Sequence, residues 1–228
     1  TTRIEEEKSR KHYETMQKEL ESQIEKKLLQ SQAPITLRHI EISYLMHSSG
    51  HLDGDFTELI EYNPLQADLL IGDVMGRPGR KAVARHLPDL RRELQLDVVI
   101  ANGENLAAGA GLTHDTAGEL FAAGVDLLTG GNHLFDKSDG HGFIAREERV
   151  VRPANYPPGT PGATLAVVDA PGGRLAVGCV LGRVFMRPLD DPFRAVDALL
   201  EEARTREARH VVIDVHAEAS SEKMALGW

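Results

Sequence analysis

Cysteine is almost absent. Cys179 is the only one in 228 residues. A single thiol excludes an internal disulfide and a thiolate metal cluster. It lies inside an apolar run, so a core thiol is expected. Long apolar runs are also lacking, and none approaches the ~18 residues of a membrane span. The first 30 residues are too polar for a secretory signal. Excess positive charge is missing too: 26 Lys and Arg face 35 Asp and Glu, a net charge of -9. A general nucleic-acid-binding surface is therefore not expected. These absences point to a soluble, cytoplasmic protein. With 41% hydrophobic residues, the chain can bury one large domain, or one domain plus an appendage.

Residues 1–31 read as an amphipathic helix. Tyr13, Met16, Leu20, Ile24 and Leu28 recur every three or four positions, among seven Lys/Arg and seven Glu. So narrow a stripe packs either on the body of the protein or on a partner helix, as in a homo-oligomer. Ala33-Pro34 ends it. Leu37 to Met46 alternates loosely, as a strand would. Asp53-Gly54-Asp55-Phe56 and Asn63-Pro64 are turns.

The stretch Leu69-Leu70-Ile71-Gly72-Asp73-Val74-Met75-Gly76 is the centre of the chemistry. An apolar run reads as a buried strand, and it ends by delivering a carboxylate between two glycines. Asp73 could also cap the helix that follows. From Asp68 onward strands and helices alternate. Val83, Leu87, Leu90 and Leu94 mark one helix face. Thr113 is a candidate N-cap and Gly124 a C-cap for a second helix with Ala117, Leu120 and Phe121 inward. Residues 150–162 form a proline-rich loop. Leu165 to Val168 and Leu175 to Val180 suggest a hairpin across Pro171-Gly172-Gly173. Asp191-Pro192 starts a helix with Val196, Leu199, Leu200 and Ala203 inward.

Four apolar strands end in metal-ligand chemistry: at Asp73, at Glu104, at Asn132-His133 and at His216. In open α/β sheets ligands bind beyond the carboxyl ends of the strands. Carboxylate, amide oxygen and imidazole together suit Mn, Fe, Zn or Mg. A carboxylate such as Glu104 can bridge two ions of a phosphoryl-transfer site. The alternative use of these residues is in caps and turns, with His216 a buried structural histidine.

Gly72-Asp73-Val74-Met75-Gly76, Ala101-Asn102-Gly103-Glu104-Asn105, Gly131-Asn132-His133, Arg152-Pro153-Ala154-Asn155-Tyr156-Pro157, Gly182-Arg183-Val184-Phe185-Met186 and His216-Ala217-Glu218-Ala219-Ser220-Ser221-Glu222-Lys223 resemble the YmdB-type bacterial metallophosphoesterases. That family is a branch of the calcineurin-like fold, and the resemblance spans about residues 69–228. It implies an α/β sandwich and a two-metal phosphodiesterase acting on cyclic nucleotides or related phosphodiesters. By the same resemblance Asp73 binds the first metal with help from Asn105, Glu104 bridges, and Asn132 and His216 bind the second. His133 would be the general acid. The family also carries a Gly-Thr-His-Thr-His stretch beyond the point matching Trp228. The expectation is thus an incomplete sandwich core, short of one ligand per metal.

Leu28-Leu29-Gln30, Pro34, Ile40-Glu41-Ile42, Asp53-Gly54-Asp55-Phe56 and residues 67–76 resemble the start of SpoIIE/RsbU-type serine phosphatases of the PPM family. In that reading Asp55 and Asp73 are the metal ligands. The domains expected are the helix at 1–31, a short β-rich phosphatase fragment at 32–67 and a metallophosphoesterase domain at 68–228, joined where both families supply Ile-Gly-Asp-Val-Met-Gly. Three functions compete: a metal-dependent phosphodiesterase, impaired by the missing ligands; a non-catalytic metal-binding or regulatory fragment associating through its N-terminal helix; and a PPM-type serine/threonine phosphatase.

Overall fold

The computed structural model describes residues 35–37, 40–45, 57–63 and 66–227, with side chains from Asp68 to Gly227. The expected helix at 1–31 and the turn containing Asp55 lie outside the described residues.

Strands β1 (Ile35–Leu37), β2 (Ile40–Leu45), β3 (Thr57–Asn63) and β4 (Gln66–Asp73) pair in antiparallel succession. The Leu37–Met46 stretch, expected as one strand, is therefore two. Leu37 pairs with Ile40, so the chain reverses there. After β4 come helix α1 (Gly76–Glu93) and strand β5 (Val98–Asn102). Helix α2 (His114–Ala123) and strand β6 (Leu127–Thr129) follow. Helix α3 (Ser138–Ile144) then leads to strand β7 (Val150–Val151). β4 to β7 are parallel and complete a seven-stranded sheet in sequence order. β7 corrects the expectation of a loop at 150–162. Two residues carry no readable period, but Val150 and Val151 pair with Leu128 and Thr129 and are fully buried.

β8 (Leu165–Val168) and β9 (Leu175–Leu181) form the expected antiparallel hairpin. Helix α4 (Pro192–Thr205) returns the chain to β10 (His210–His216), parallel to β9. The second sheet has the order β10-β9-β8. Helix α5 (Ser220–Leu226) follows.

Alternation along the strands builds the layers. In β5, Val98 and Ile100 face the second sheet, meeting Leu175, Val177, Cys179 and Val212. Val99 and Ala101 face the opposite way, toward Leu87 of α1 and Ala117 and Leu120 of α2. The outer face of the smaller sheet packs Ala176 and Val180 on Leu199 and Ala203 of α4. The result is helices, sheet, sheet, helix. A strand buried on both faces reads as an unbroken apolar run, which is why β5 and β9 stand out in the sequence. Each fully buried Leu contributes about 1.5–3 kcal/mol.

Helix ends follow the sequence where their signals are local. The Thr113 side chain accepts from Thr116 N in a capping box, and Gly124 closes α2 at φ +106°. Asp191 caps α4 through the amides of Phe193 and Arg194. On α1 only Leu87 of the expected face is fully buried, whereas Leu90 and Leu94 are exposed, as is Leu200 on α4. No helix among the described residues is long and apolar enough to cross a membrane.

Candidate active site

Each of the four chemistry-bearing strands ends at the same edge of the sandwich. Asp73 closes β4, opposite Asn102 of β5 in the ladder. Glu104 and Asn105 stand in the turn after β5, Asn132 and His133 in the turn after β6, and His216 at the last position of β10.

Asp73 is not a helix cap. Met75 holds the N-cap position of α1, with no side-chain cap bond. The Asp73 carboxylate instead accepts from Asn105 Nδ2 at 2.6 Å through Oδ2. That bond orients the Asn105 amide and leaves its Oδ1, buried, with no hydrogen-bond partner.

Glu104 is the hub. It is 1% exposed. Its Oε2 accepts the His133 amide at 3.0 Å, and its Oε1 lies 3.1 Å from His216 Nδ1. Gly131 makes the packing possible. A Cβ there would stand 2.1 Å from Glu104 Oε2, so only glycine lets the backbone pass so close to the carboxylate.

His133 Nδ1 lies 2.6 Å from Asp136 Oδ2, with both side chains half exposed. The acid holds the ring and leaves Nε2 as the nitrogen available for proton transfer. Beside this turn the Tyr156 hydroxyl reaches Gly131 O at 3.5 Å. Burial, followed by the nearby Glu104 and Asp136 charges, raises the pKa of this phenol.

The structure thus joins Asp73 to Asn105, and Glu104 to His133 and His216, at one place. Asn132 sits between Gly131 and His133 in the same turn. Among the described residues no three His, Cys, Asp or Glu side chains form a metal-holding group. The donor set here is instead mixed with amides.

Three positioning residues go beyond the sequence expectations. Asp136 is one. Asp214, inside β10, accepts from Thr129 Oγ1 at 2.6 Å and from Asn102 Nδ2 at 3.1 Å. Asn102 Oδ1 in turn accepts the Glu104 amide at 3.1 Å. Glu222, 8% exposed, receives the amides of Arg183 and Val184. Only Glu222 carries a sequence signal, since it lies in the motif that starts at His216.

A parallel-centred sheet facing a second sheet, with carboxylate, amide and imidazole groups at the strand ends, is a calcineurin-like α/β fold. Comparison with known proteins agrees. Residues 69–228 match the family described as YmdB-like protein. The chain is 48% identical over 160 residues to the 2′,3′-cyclic-nucleotide 2′-phosphodiesterase of Bacillus subtilis (strain 168), covering 70% of this chain and 60% of that one. A crystal structure of a hypothetical protein from Thermus thermophilus superposes with a TM-score of 0.65 at 52% identity, covering 70% of this chain and 61% of that chain. A novel phosphatase from Mycoplasma pneumoniae superposes with a TM-score of 0.62 at 31% identity, covering 70% and 58%. This chain belongs to the YmdB-like family. It spans about 60% of the length of the Bacillus relative.

Proposed function

We propose that the edge built by Asp73, Glu104, Asn105, Asn132, His133 and His216 is a metal-dependent phosphodiesterase site acting on cyclic nucleotides or related small phosphodiesters. The observation that carries this reading is the convergence of His133 and His216 on the buried Glu104 carboxylate. The relative named as a cyclic-nucleotide phosphodiesterase gives the substrate class.

The donor chemistry suits hard or borderline divalent ions. The unpartnered Asn105 Oδ1 is an acceptor already desolvated and aimed by Asp73, which is what a cation ligand requires. Asp73 and Asn105 would hold one ion, Asn132 and His216 a second, with Glu104 between them. Bound there, two divalent ions supply charge neutralisation at the phosphate oxygens and a nucleophile from water at neutral pH.

The chain's own residues do the rest. His133 donates from Nε2 to the leaving oxygen as the P–O bond breaks, and Asp136 offsets the imidazolium charge before transfer. Glu104 fixes the His133 backbone through its amide, so the ring starts from a set position. Tyr156 stays protonated beside Gly131.

The test is manganese-stimulated hydrolysis of bis(p-nitrophenyl) phosphate and adenosine 2′,3′-cyclic phosphate. Asp73→Ala abolishes it. His133→Ala lowers kcat by about 10²–10⁴-fold, the usual contribution of a general acid. Asp136→Asn lowers kcat less, with KM unchanged. Wild-type rates no higher than those of Glu104→Ala overturn the reading.

A further inference from the structure

The loop after β9 carries a feature that the hydrolytic chemistry leaves unexplained. Phe185 is 90% exposed, and Val184 beside it 42%. Phe185 also has φ +64°, a conformation that costs a non-glycine residue about 1–2 kcal/mol. A large apolar side chain held in water on a strained backbone has to be fixed by its surroundings.

Those surroundings are buried and specific. Glu222 accepts Arg183 N at 2.9 Å and Val184 N at 3.2 Å. Gly182 has no room for a Cβ, which would stand 2.4 Å from Glu222 Oε2. Gly182 N donates to His216 O at 2.8 Å, so the loop starts from the last residue of the site strand. Its far end is held by Asn155, whose Nδ2 donates to Leu181 O at 2.8 Å and to Asp190 O at 3.1 Å. Three residues span at most about 11 Å, so Phe185 stays within that reach of Gly182. Arg183 and Arg187 flank it in sequence, and both are exposed.

We propose that Phe185 is the stacking face for the base of a nucleotide whose phosphodiester lies between His133 and His216. The proposal rests on the phosphodiesterase reading of that site and adds how a base-bearing substrate is selected. Every base has a π-face, so the preference is for nucleotides over base-free phosphodiesters and is tolerant of base identity. The flanking arginines supply cations toward a negatively charged ligand.

The test compares wild type, Phe185→Ala and Phe185→Trp. Binding of adenosine 2′,3′-cyclic phosphate and of glycerol 1,2-cyclic phosphate is measured in EDTA by ligand-observed NMR, where no turnover is needed. Phe185→Ala weakens nucleotide binding about 5–150-fold, the range that base stacking on an aromatic side chain supplies. Phe185→Trp restores it, and the glycerol compound is unaffected throughout. With manganese, Phe185→Ala raises KM for the nucleotide and leaves kcat in place. Nucleotide binding that is undetectable in wild type, unchanged in Phe185→Ala, or altered equally for both compounds overturns the proposal. Phe185-dependent binding without hydrolysis overturns the reaction and keeps the stacking face. Hydrolysis indifferent to Phe185→Ala does the reverse.

Discussion

His216 Nδ1 lies 3.1 Å from Glu104 Oε1, joining the last strand of the smaller sheet to the turn after β5 of the larger one. The same carboxylate receives the His133 amide through Oε2. One buried side chain therefore sets the relative position of two histidines 83 residues apart in sequence.

Glu104→Gln tests that hub. Glutamine keeps a carbonyl for the His133 amide but loses the charge. Hydrolysis of bis(p-nitrophenyl) phosphate falls by at least ~100-fold, the scale of removing a preorganised electrostatic partner. Glu104→Ala additionally strands a buried amide, at about 1–3 kcal/mol in urea unfolding. A Glu104→Gln protein that keeps its rate would contradict the role given to the charge.

Gly131→Ala should damage both fold and site. The new Cβ meets Glu104 Oε2 at 2.1 Å and Cδ at 2.4 Å. Overpacking of this kind costs about 1–3 kcal/mol, and relief requires Glu104 to leave its place. Gly118→Ala is the control. That glycine lies exposed in α2 with nothing within 4 Å of its added Cβ, and alanine there stabilises by about 0.5–1 kcal/mol. Thermal melts of both variants check the pair, and a Gly131→Ala melt matching wild type would refute the close approach.

How much of this is readable from sequence depends on range. The caps at Thr113, Gly124 and Asp191 are local signals and appear in the structure where expected. So do the strands ending at Asp73, Asn102 and His216, each marked by an apolar run, and β5 is buried along its whole length. β7 is not legible, since two residues become a strand only when β6 offers a partner. α3 carries two glycines in seven residues, a composition that argues against a helix. Asp214 looks like one polar interruption of an apolar strand. Its meaning lies in Asn102, 112 residues away, and a contact of that separation leaves no local pattern. Asp136 is only three residues from the His133 it holds, but an acid in a turn is ordinary turn chemistry. Glu222 lies in the motif that starts at His216, while its partners, the amides of Arg183 and Val184, are 39 and 38 residues away.

Asp214 gives a prediction of its own. Its Oδ2 holds both Thr129 Oγ1 and the amide of Asn102, which is 5% exposed. Asp214→Ala leaves that buried amide without its acceptor and should lose about 1–3 kcal/mol. Because Asn102 Oδ1 receives the Glu104 amide, turnover falls as well, although Asp214 touches no substrate. Asp214→Asn, which retains an acceptor oxygen, recovers most of the stability. If both variants unfold at the wild-type urea concentration, the network contributes nothing.

Cys179 gives a prediction for alkaline pH. The thiol is fully buried between the sheets and donates to Val151 O at 3.4 Å. Burial, with the nearby Asp214 charge adding to it, raises its pKa well above the ordinary value. In the unfolded chain the same thiol ionises near pH ~8.5. Below that pH both states hold the proton and stability is unaffected. Above it the unfolded state loses a proton that the folded state keeps, so stability falls with rising pH, at a limiting slope of about 1.4 kcal/mol per unit. Tyr156 is shifted the same way, but an ordinary phenol ionises only near ~10, so the window from about 8.5 to 10 isolates the thiol. Cys179→Ala lowers stability at neutral pH through the cavity it leaves, yet its urea midpoint declines less steeply across that window. Parallel declines in the two proteins would show that the thiol ionises in the folded state as readily as in the unfolded chain.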